Sequence, residues 1–212
     1  MVTDEGGDGV LAPVAPAPRP PAIVIDGLSK RYGTFEAVAP LSLEIAKGEV
    51  FGFLGPNGAG KTTTIRMLMG ILVPTAGRAI IDGLDCQRDV AAVKSRVGYL
   101  PDSPVYYDYL RGREILAFVG EMHGFRTYEA EVRARELLWE LDLGDAAEEY
   151  AINYSMGMKK KLGLACALIH DPPVLILDEP TNGLDPRAAR EVRDRLQAAA
   201  ARGKTIFDSR SR

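Results

Sequence analysis

The stretch Gly55-Pro56-Asn57-Gly58-Ala59-Gly60-Lys61-Thr62-Thr63 fits G-x-x-x-x-G-K-[ST], a spacing suited to phosphate. Glycines let the main chain wrap closely round phosphate oxygens, where a Cβ would crowd the N–H groups away. Lys61 supplies a positive charge for the outer phosphates and Thr62 a hydroxyl for Mg2+. A second reactive group lies far along the chain, in Leu177-Asp178-Glu179-Pro180. Carboxylates at the carboxyl end of a buried strand face the region where open α/β sheets bind ligands. There Asp178 suits Mg2+, through water, and Glu179 is placed to orient or deprotonate a water attacking the last phosphate. Alone, such an Asp-Glu pair is ordinarily a solvated turn; the phosphate loop tips this one towards chemistry.

These groups need particular elements to bring them together. Val50-Phe51-Gly52-Phe53-Leu54 ahead of the loop and Val174-Leu175-Ile176-Leu177 ahead of the carboxylates are apolar throughout, the pattern of parallel strands covered on both faces. After the loop, Ile65, Leu68, Met69 and Leu72 line one face of a helix whose positive end points back at it. Ile23-Val24-Ile25 and the alternation of Leu41, Leu43 and Ile45 mark half-buried strands, an antiparallel β edge on an α/β core. Between Gly112 and Ile169 the period becomes helical, with Ile115, Phe118, Val119 and Met122 on one face and Leu162, Cys166 and Ile169 on another. A mostly helical subdomain at about 103–170 therefore interrupts the core. Ser155 is the expected N-cap of its last helix, which Pro172-Pro173 prevents from continuing.

Composition bounds the rest. The chain has 212 residues, 46% hydrophobic and 26% charged, enough for one substantial core with a subdomain, placed at 23–212. Repeated Pro and Ala make 1–22 an expected disordered tail, without the basic start and continuous apolar run of a signal peptide. A net charge of -3 and no block of Lys or Arg give no electrostatic footprint for nucleic acid, so none is expected as a partner. The longest apolar runs fall far short of the roughly 18 residues of a membrane-spanning helix. Cys86 and Cys166, far apart and in no Cys-x-x-Cys arrangement, fit a reduced compartment. His123 and His170 read as structural, His170 through the dipole of a preceding helix end, and Lys159-Lys160-Lys161 as a solvated helix face.

From about Ile23 to Phe207 the chain resembles the ATP-binding subunits of ABC transporters. Tyr154-Ser155-Met156-Gly157-Met158-Lys159 resembles their signature sequence, in the form common among ABC-2 exporters. Tyr32 in Ser29-Lys30-Arg31-Tyr32-Gly33 is similar to the aromatic residue that stacks on adenine, and Asn182-Gly183-Leu184-Asp185-Pro186 to the loop that communicates across a dimer. The resemblance implies a P-loop NTPase core, ATP and Mg2+ as cofactors, and a cytoplasmic protein peripheral on the inner face of the cell membrane. It further implies a head-to-tail pair with a second copy or a related ATPase subunit. Each ATP would lie between one phosphate loop and the partner's Ser155 and Gly157, and hydrolysis would drive export through separate transmembrane permease subunits.

The sequence departs from the family pattern in three places. Met156 and Met158 replace a glycine and a glutamine of the commonest signature, leaving Ser155 and Gly157 to carry its contacts. Asp102 follows Val97-Gly98-Tyr99-Leu100-Pro101 where the family has glutamine; it can still ligate Mg2+ but adds negative charge beside phosphate. The loop after it, with Tyr106, Tyr107 and Tyr109, resembles the cleft that receives a short helix of the membrane subunit, and equally fits ordinary loop packing. Third, counting on from Lys204-Thr205-Ile206-Phe207 puts the family's switch histidine at position 211, which is Ser211. The polar Asp208-Ser209-Arg210-Ser211-Arg212 reads as a truncated or out-of-frame end where a buried strand should continue, so the domain is expected to be incomplete. The alternative to a transport ATPase is accordingly an ATP-dependent dimerisation module with little or no hydrolysis.

Overall fold

The computed structural model describes residues 20–211, so most of the expected tail lies outside the described residues. The first strand, β1 (Pro21–Tyr32), begins two residues ahead of the expected onset at Ile23. Pro21 costs nothing there, since a strand's first residue need not donate to the ladder, and Ala22 is already buried in the core. β1 is the centre of an antiparallel sheet, paired with β2 (Phe35–Ala46) on one side and with β4 (Ala76–Ile81) on the other; β5 (Leu84–Asp85) follows β4. Ile23 faces Ile45 and Ile81 across the two pairings, so the alternating hydrophobes lie on one face.

The second sheet is parallel, in the order β3-β8-β7-β6, from β3 (Val50–Gly55), β6 (Val97–Leu100), β7 (Val174–Asp178) and β8 (Thr205–Ser211). Every residue of β7 is buried, and its side chains alternate between two cores. Val174 and Ile176 join Ile23, Ile45, Ile65, Leu68 and Phe207 in the space between the sheets. Leu175 and Leu177 join Leu116, Leu138, Leu162, Leu164 and Leu196 on the opposite face. β3 differs from expectation. It is the edge strand, and Val50 (58% exposed) and Leu54 (53%) are uncovered while Phe51 and Phe53 turn inward against Phe207. Their ring centroids stand 5.7 and 5.3 Å from that of Phe207, which is wholly buried.

Six α-helices are present among the described residues: α1 (Lys61–Leu68), α2 (Val90–Arg96), α3 (Gly112–Met122), α4 (Thr127–Glu140), α5 (Met156–Leu168) and α6 (Pro186–Ala201). Ser155 caps α5 as expected, its Oγ accepting the Met158 N–H at 3.2 Å. Helix α5 docks tightly on β6: a Cβ at Gly98 would stand 1.9 Å from the Ala167 carbonyl oxygen, so only glycine permits the approach.

β8 runs on through Ser211 between β3 and β7, although its second half is polar. Asp208 is 4% exposed in mid-sheet; burial pushes its carboxyl up, against Arg210, whose Nε donates to Oδ2 at 2.6 Å. Its Oδ1 has no partner.

The two histidines stack on each other, centroids 3.7 Å apart and planes within 4°. The helix-dipole reading of His170 does not hold, because burial dominates: it pushes the imidazole from 6.5 down to about 4, with His123 adding to the effect. His123 is lowered as well, also by burial. A lowered folded-state value means that the unfolded chain takes up the proton more readily. The contribution of His170 to stability is therefore complete above about 6.5 and is lost as pH falls towards about 4. Thermal unfolding should show the parent losing on the order of 1–2 kcal/mol more than His170→Gln over that window, a figure discounted for the ring's partial exposure. Parallel pH profiles for the two proteins would refute it.

Candidate functional site

The loop from Gly55 to Gly60 joins β3 to α1 at the carboxyl edge of the parallel sheet. Gly60 precedes α1 with φ 83°, and a Cβ there would lie 2.5 Å from the Ala37 carbonyl oxygen and 2.8 Å from Val38 Cγ2. Gly58 also has positive φ. Glycine is thus required at Gly60 twice over, by conformation and by the hairpin packed against it. The Ala59 N–H closes the turn onto the Pro56 carbonyl at 3.2 Å. Lys61 is nearly buried, and its Nζ donates to the carbonyls of Gly55 (2.8 Å) and Pro56 (3.0 Å).

Asp178, the last residue of β7, is 1% exposed and forms the floor. Its Oδ2 accepts the Thr62 hydroxyl at 2.8 Å and its Oδ1 that of Ser209 at 2.9 Å. The Thr62 hydroxyl and Asp178 carboxylate in contact are hard oxygen donors of the kind Mg2+ takes, whereas Asp102 lines the cleft without joining them in a three-carboxylate group among the described residues. Glu179 turns off the strand with φ 49°, a left-handed conformation that costs a non-glycine residue about 1–2 kcal/mol. Its N–H is held by the Ser209 carbonyl at 3.0 Å, and its carbonyl accepts the Asn182 N–H at 3.1 Å. The carboxylate points back to the loop, 3.7 Å from Lys61 Nζ.

Ser211 completes the cluster. Its hydroxyl is within hydrogen-bond reach of the Glu179 carboxylate and of Asn57 Oδ1 (2.7 Å), and accepts from Lys61 at 3.2 Å. Position 211 therefore stands between the phosphate-loop lysine and the Glu179 carboxylate, where the sequence count put the switch position.

A cleft of about 570 Å³ opens above these groups, walled by Tyr32 and Phe35 at one end and by Asp102 and Asn182 at the other, with Gly58, Thr63 and Glu179 between. Phe35, opposite Tyr32 across a two-residue turn, was not singled out in the sequence, yet the pair make an exposed aromatic wall. Three expected site residues are not brought to this cleft. Ser155 and Gly157 lie at the start of α5, and Asp185 caps α6, accepting the N–H groups of Arg187 (2.9 Å) and Ala188 (3.0 Å). Those two bonds hold its carboxyl below the usual range.

The lysine run is not a solvated face. Lys160 is 3% exposed, with Nζ 2.8 Å from the Glu179 carbonyl oxygen and 3.5 Å from Asp102 Oδ1. Lys161 pairs with Glu191 at 2.7 Å. Consecutive charges look alike in a sequence, but α5 packs on β6 and against α3 and α4, so the residues of one turn meet different neighbours. Among the tyrosines, Tyr106 is a packing residue, its hydroxyl donating to the Lys159 carbonyl at 2.8 Å and burial raising its phenol. Tyr107 and Tyr109 are exposed beside Leu110 and Phe118.

A parallel sheet with a phosphate loop at its carboxyl edge and an acidic strand end beside it defines an α/β nucleotide-binding domain. The family model described as "ABC transporter" matches residues 38–182, and the chain belongs to that family. It is 44% identical over 186 residues to the daunorubicin resistance ATP-binding protein DrrA3 of Streptomyces coeruleorubidus, covering 88% of this chain and 59% of that one. It is 40% identical over 183 residues to the bacitracin transport ATP-binding protein BcrA of Bacillus licheniformis, covering 86% and 59%. The chain thus spans less than two thirds of the length of these curated relatives. A solved ATP-binding subunit of an ABC transporter superposes with a TM-score of 0.81 at 30% identity, over 90% of this chain and 79% of that one. A dimeric ATP-binding cassette bound to ADP and Pi shares the fold, with a TM-score of 0.80 at 22% identity over 88% and 87%.

The hydroxyl of Ser211 reaches Glu179 and Lys61 but cannot carry the charge of an imidazolium or span a bound phosphate as far. Ser211→His should therefore accelerate ATP hydrolysis at least about 10²-fold while leaving Mg-ATP affinity nearly unchanged. Single-turnover hydrolysis and calorimetry on both proteins check this; equal rates would show that position 211 plays no part.

Proposed function

We propose that the chain binds Mg-ATP in the 570 Å³ cleft and hydrolyses it to drive export through separate membrane subunits. The observation that carries the reading is the convergence of Lys61, Thr62, Asp178 and Glu179 at one sheet edge, from segments more than a hundred residues apart. Loop N–H groups and the start of α1 would hold the phosphates, with Lys61 on the outer two. Tyr32, seconded by Phe35, would stack on the adenine at the open end of the cleft. Thr62 and Asp178, with Asp102, would hold Mg2+, which when bound neutralises developing phosphate charge. Glu179 would take or orient the attacking water's hydrogen, its carboxylate fixed by the turn at Glu179–Asn182.

Ser155, Gly157 and Asp185 do not line the chain's own cleft and would serve a second copy or a related subunit. The bared start of α5 would then close on the γ phosphate held by the partner. Exposed Tyr107 and Tyr109 would meet the permease subunit. No helix among the described residues is long and apolar enough to cross a membrane, so translocation would fall to that subunit, with this chain peripheral on its cytoplasmic side. The names of the two curated relatives, one for daunorubicin resistance and one for bacitracin transport, support export.

Two substitutions separate binding from turnover. Lys61→Ala should weaken Mg-ATP binding at least about tenfold by calorimetry, for want of its phosphate contact. Equal affinity would sink the site assignment. Glu179→Gln keeps shape and removes the base, so it should retain ATP and lose hydrolysis by roughly 10²-fold or more. Loss of nucleotide binding in that variant would mean that Glu179 belongs to the metal site with Asp178.

A further inference from the structure

Lys160 is a buried lysine that the proposed mechanism does not use. Its ammonium reaches only two groups near the cleft: the Glu179 main-chain carbonyl at 2.8 Å and Asp102 Oδ1 at 3.5 Å. Lysine is almost never this buried unless it is paired, and desolvation lowers its tendency to stay charged, with the carboxylates of Asp102, Asp178 and Glu179 opposing the loss. The carbonyl it holds belongs to the one non-glycine residue of the site in a left-handed conformation. Two donors, Lys160 Nζ and the Asn182 N–H, converge on that oxygen and fix the peptide plane from which the Glu179 side chain leaves. Asp102 fits the same account. The carboxylate that departs from the family pattern has a buried cation beside it, so its negative charge is compensated before any phosphate enters.

We propose that Lys160 is a positioning residue for hydrolysis: by holding the Glu179 carbonyl and balancing Asp102, it fixes the direction in which the Glu179 carboxylate meets the attacking water. The inference rests on the catalytic reading of Glu179. It also gives α5 a second task, since Ser155 at one end of the helix and Lys160 little more than a turn later act on different surfaces. A shift of α5 at its capped start is felt at the Glu179 peptide through one ammonium group.

The test uses the chain with two substitutions, Lys160→Met and Lys160→Gln. Methionine keeps the length of the stem and removes both donor and charge; Asp102, whose side chain is 43% exposed, can then be solvated rather than left buried. Glutamine restores a donor for the Glu179 carbonyl without the charge. Single-turnover hydrolysis with protein in excess should slow about 10-fold to 10²-fold in Lys160→Met, while the dissociation constant for Mg-ATP stays within about threefold. Lys160→Gln should recover at least about a third of that loss on a logarithmic scale, because one of the two contacts returns. Thermal melting confirms that both variants are folded; should Lys160→Met not fold, the comparison of Lys160→Gln with the parent decides, at an expected loss of about threefold or more with affinity unchanged. Parent-like hydrolysis in Lys160→Met, or in Lys160→Gln where that variant alone folds, or affinity falling in step with rate, overturns the positioning role. If the parent's hydrolysis does not depend on Glu179, the catalytic reading itself falls and takes this inference with it.

Discussion

The register of the parallel strands β3, β8 and β7 decides where every reactive group of the site lies. Gly55 is paired with Ser211 and Asp178 with Ser209, so the phosphate loop, the buried carboxylate and the position-211 side chain leave the sheet at one edge. Side chains alternate along a strand, and Ser209 and Asp178, directly opposite, therefore lie on the same face, the one covered by α1. That is the face from which Thr62 descends to meet Asp178. A slip of β8 by one residue would carry Ser209 to the far face, leave an oxygen of a buried carboxylate without a donor, and move Ser211 off Lys61. The relative placement of the phosphate loop, Asp178 and Ser211 is thus fixed by pairings made deep in the core.

Much of this was legible because the relevant signals are local. The loop motif, the flanking strand and helix, the strand-end carboxylates and the Ser155 cap all depend on residues a few positions apart, and periodicity exposes them. The count to position 211 is likewise arithmetic along one strand, and β8 runs through Ser211 to reach Lys61 and Glu179. What could not be read depends on packing between distant segments. Phe35 owes its place to a hairpin turn that brings it opposite Tyr32. Lys160 looked like one of three solvated charges, because nothing in its neighbours says that α5 turns this residue into the sheet. His170 sat where a helix dipole would favour it, but desolvation by tertiary contacts outweighs a dipole term of about 0.3–1 kcal/mol. The apolar run of β3 was read as covered on both faces; the composition of a strand does not say whether it is central or an edge.

The site is assembled in two halves with different mechanical supports. Lys61 and Thr62 stand on α1, which is packed through Ile65 and Leu68 into the core between the sheets. Lys160 stands on α5, packed through Leu162 and Leu164 into the core on the other face of the parallel sheet. β6, β7 and β8 each contribute to both cores, and β7 and β8 end at the site. Asp178 is bound from the first half through Thr62, and the next residue, Glu179, from the second through Lys160. Glu179 is therefore tied to both halves, through its carbonyl to Lys160 and through its carboxylate to Lys61.

Asp208 shows which force prevails when local chemistry and register disagree. Burying a carboxylate oxygen without a partner costs about 1–3 kcal/mol, and Arg210 compensates only the other oxygen. Phe207, the preceding residue, lies wholly buried against Phe51 and Phe53, an anchor of the kind whose truncation costs about 3–5 kcal/mol. Keeping Phe207 in its socket forces Asp208 into the sheet, because neighbouring strand residues must point to opposite faces and both faces here are covered. The aromatic contact wins by a few kcal/mol at most, and what it secures is the placement of Ser209 and Ser211, two and four pairings further on. A polar half-strand is thus held in a buried position by the apolar half that precedes it.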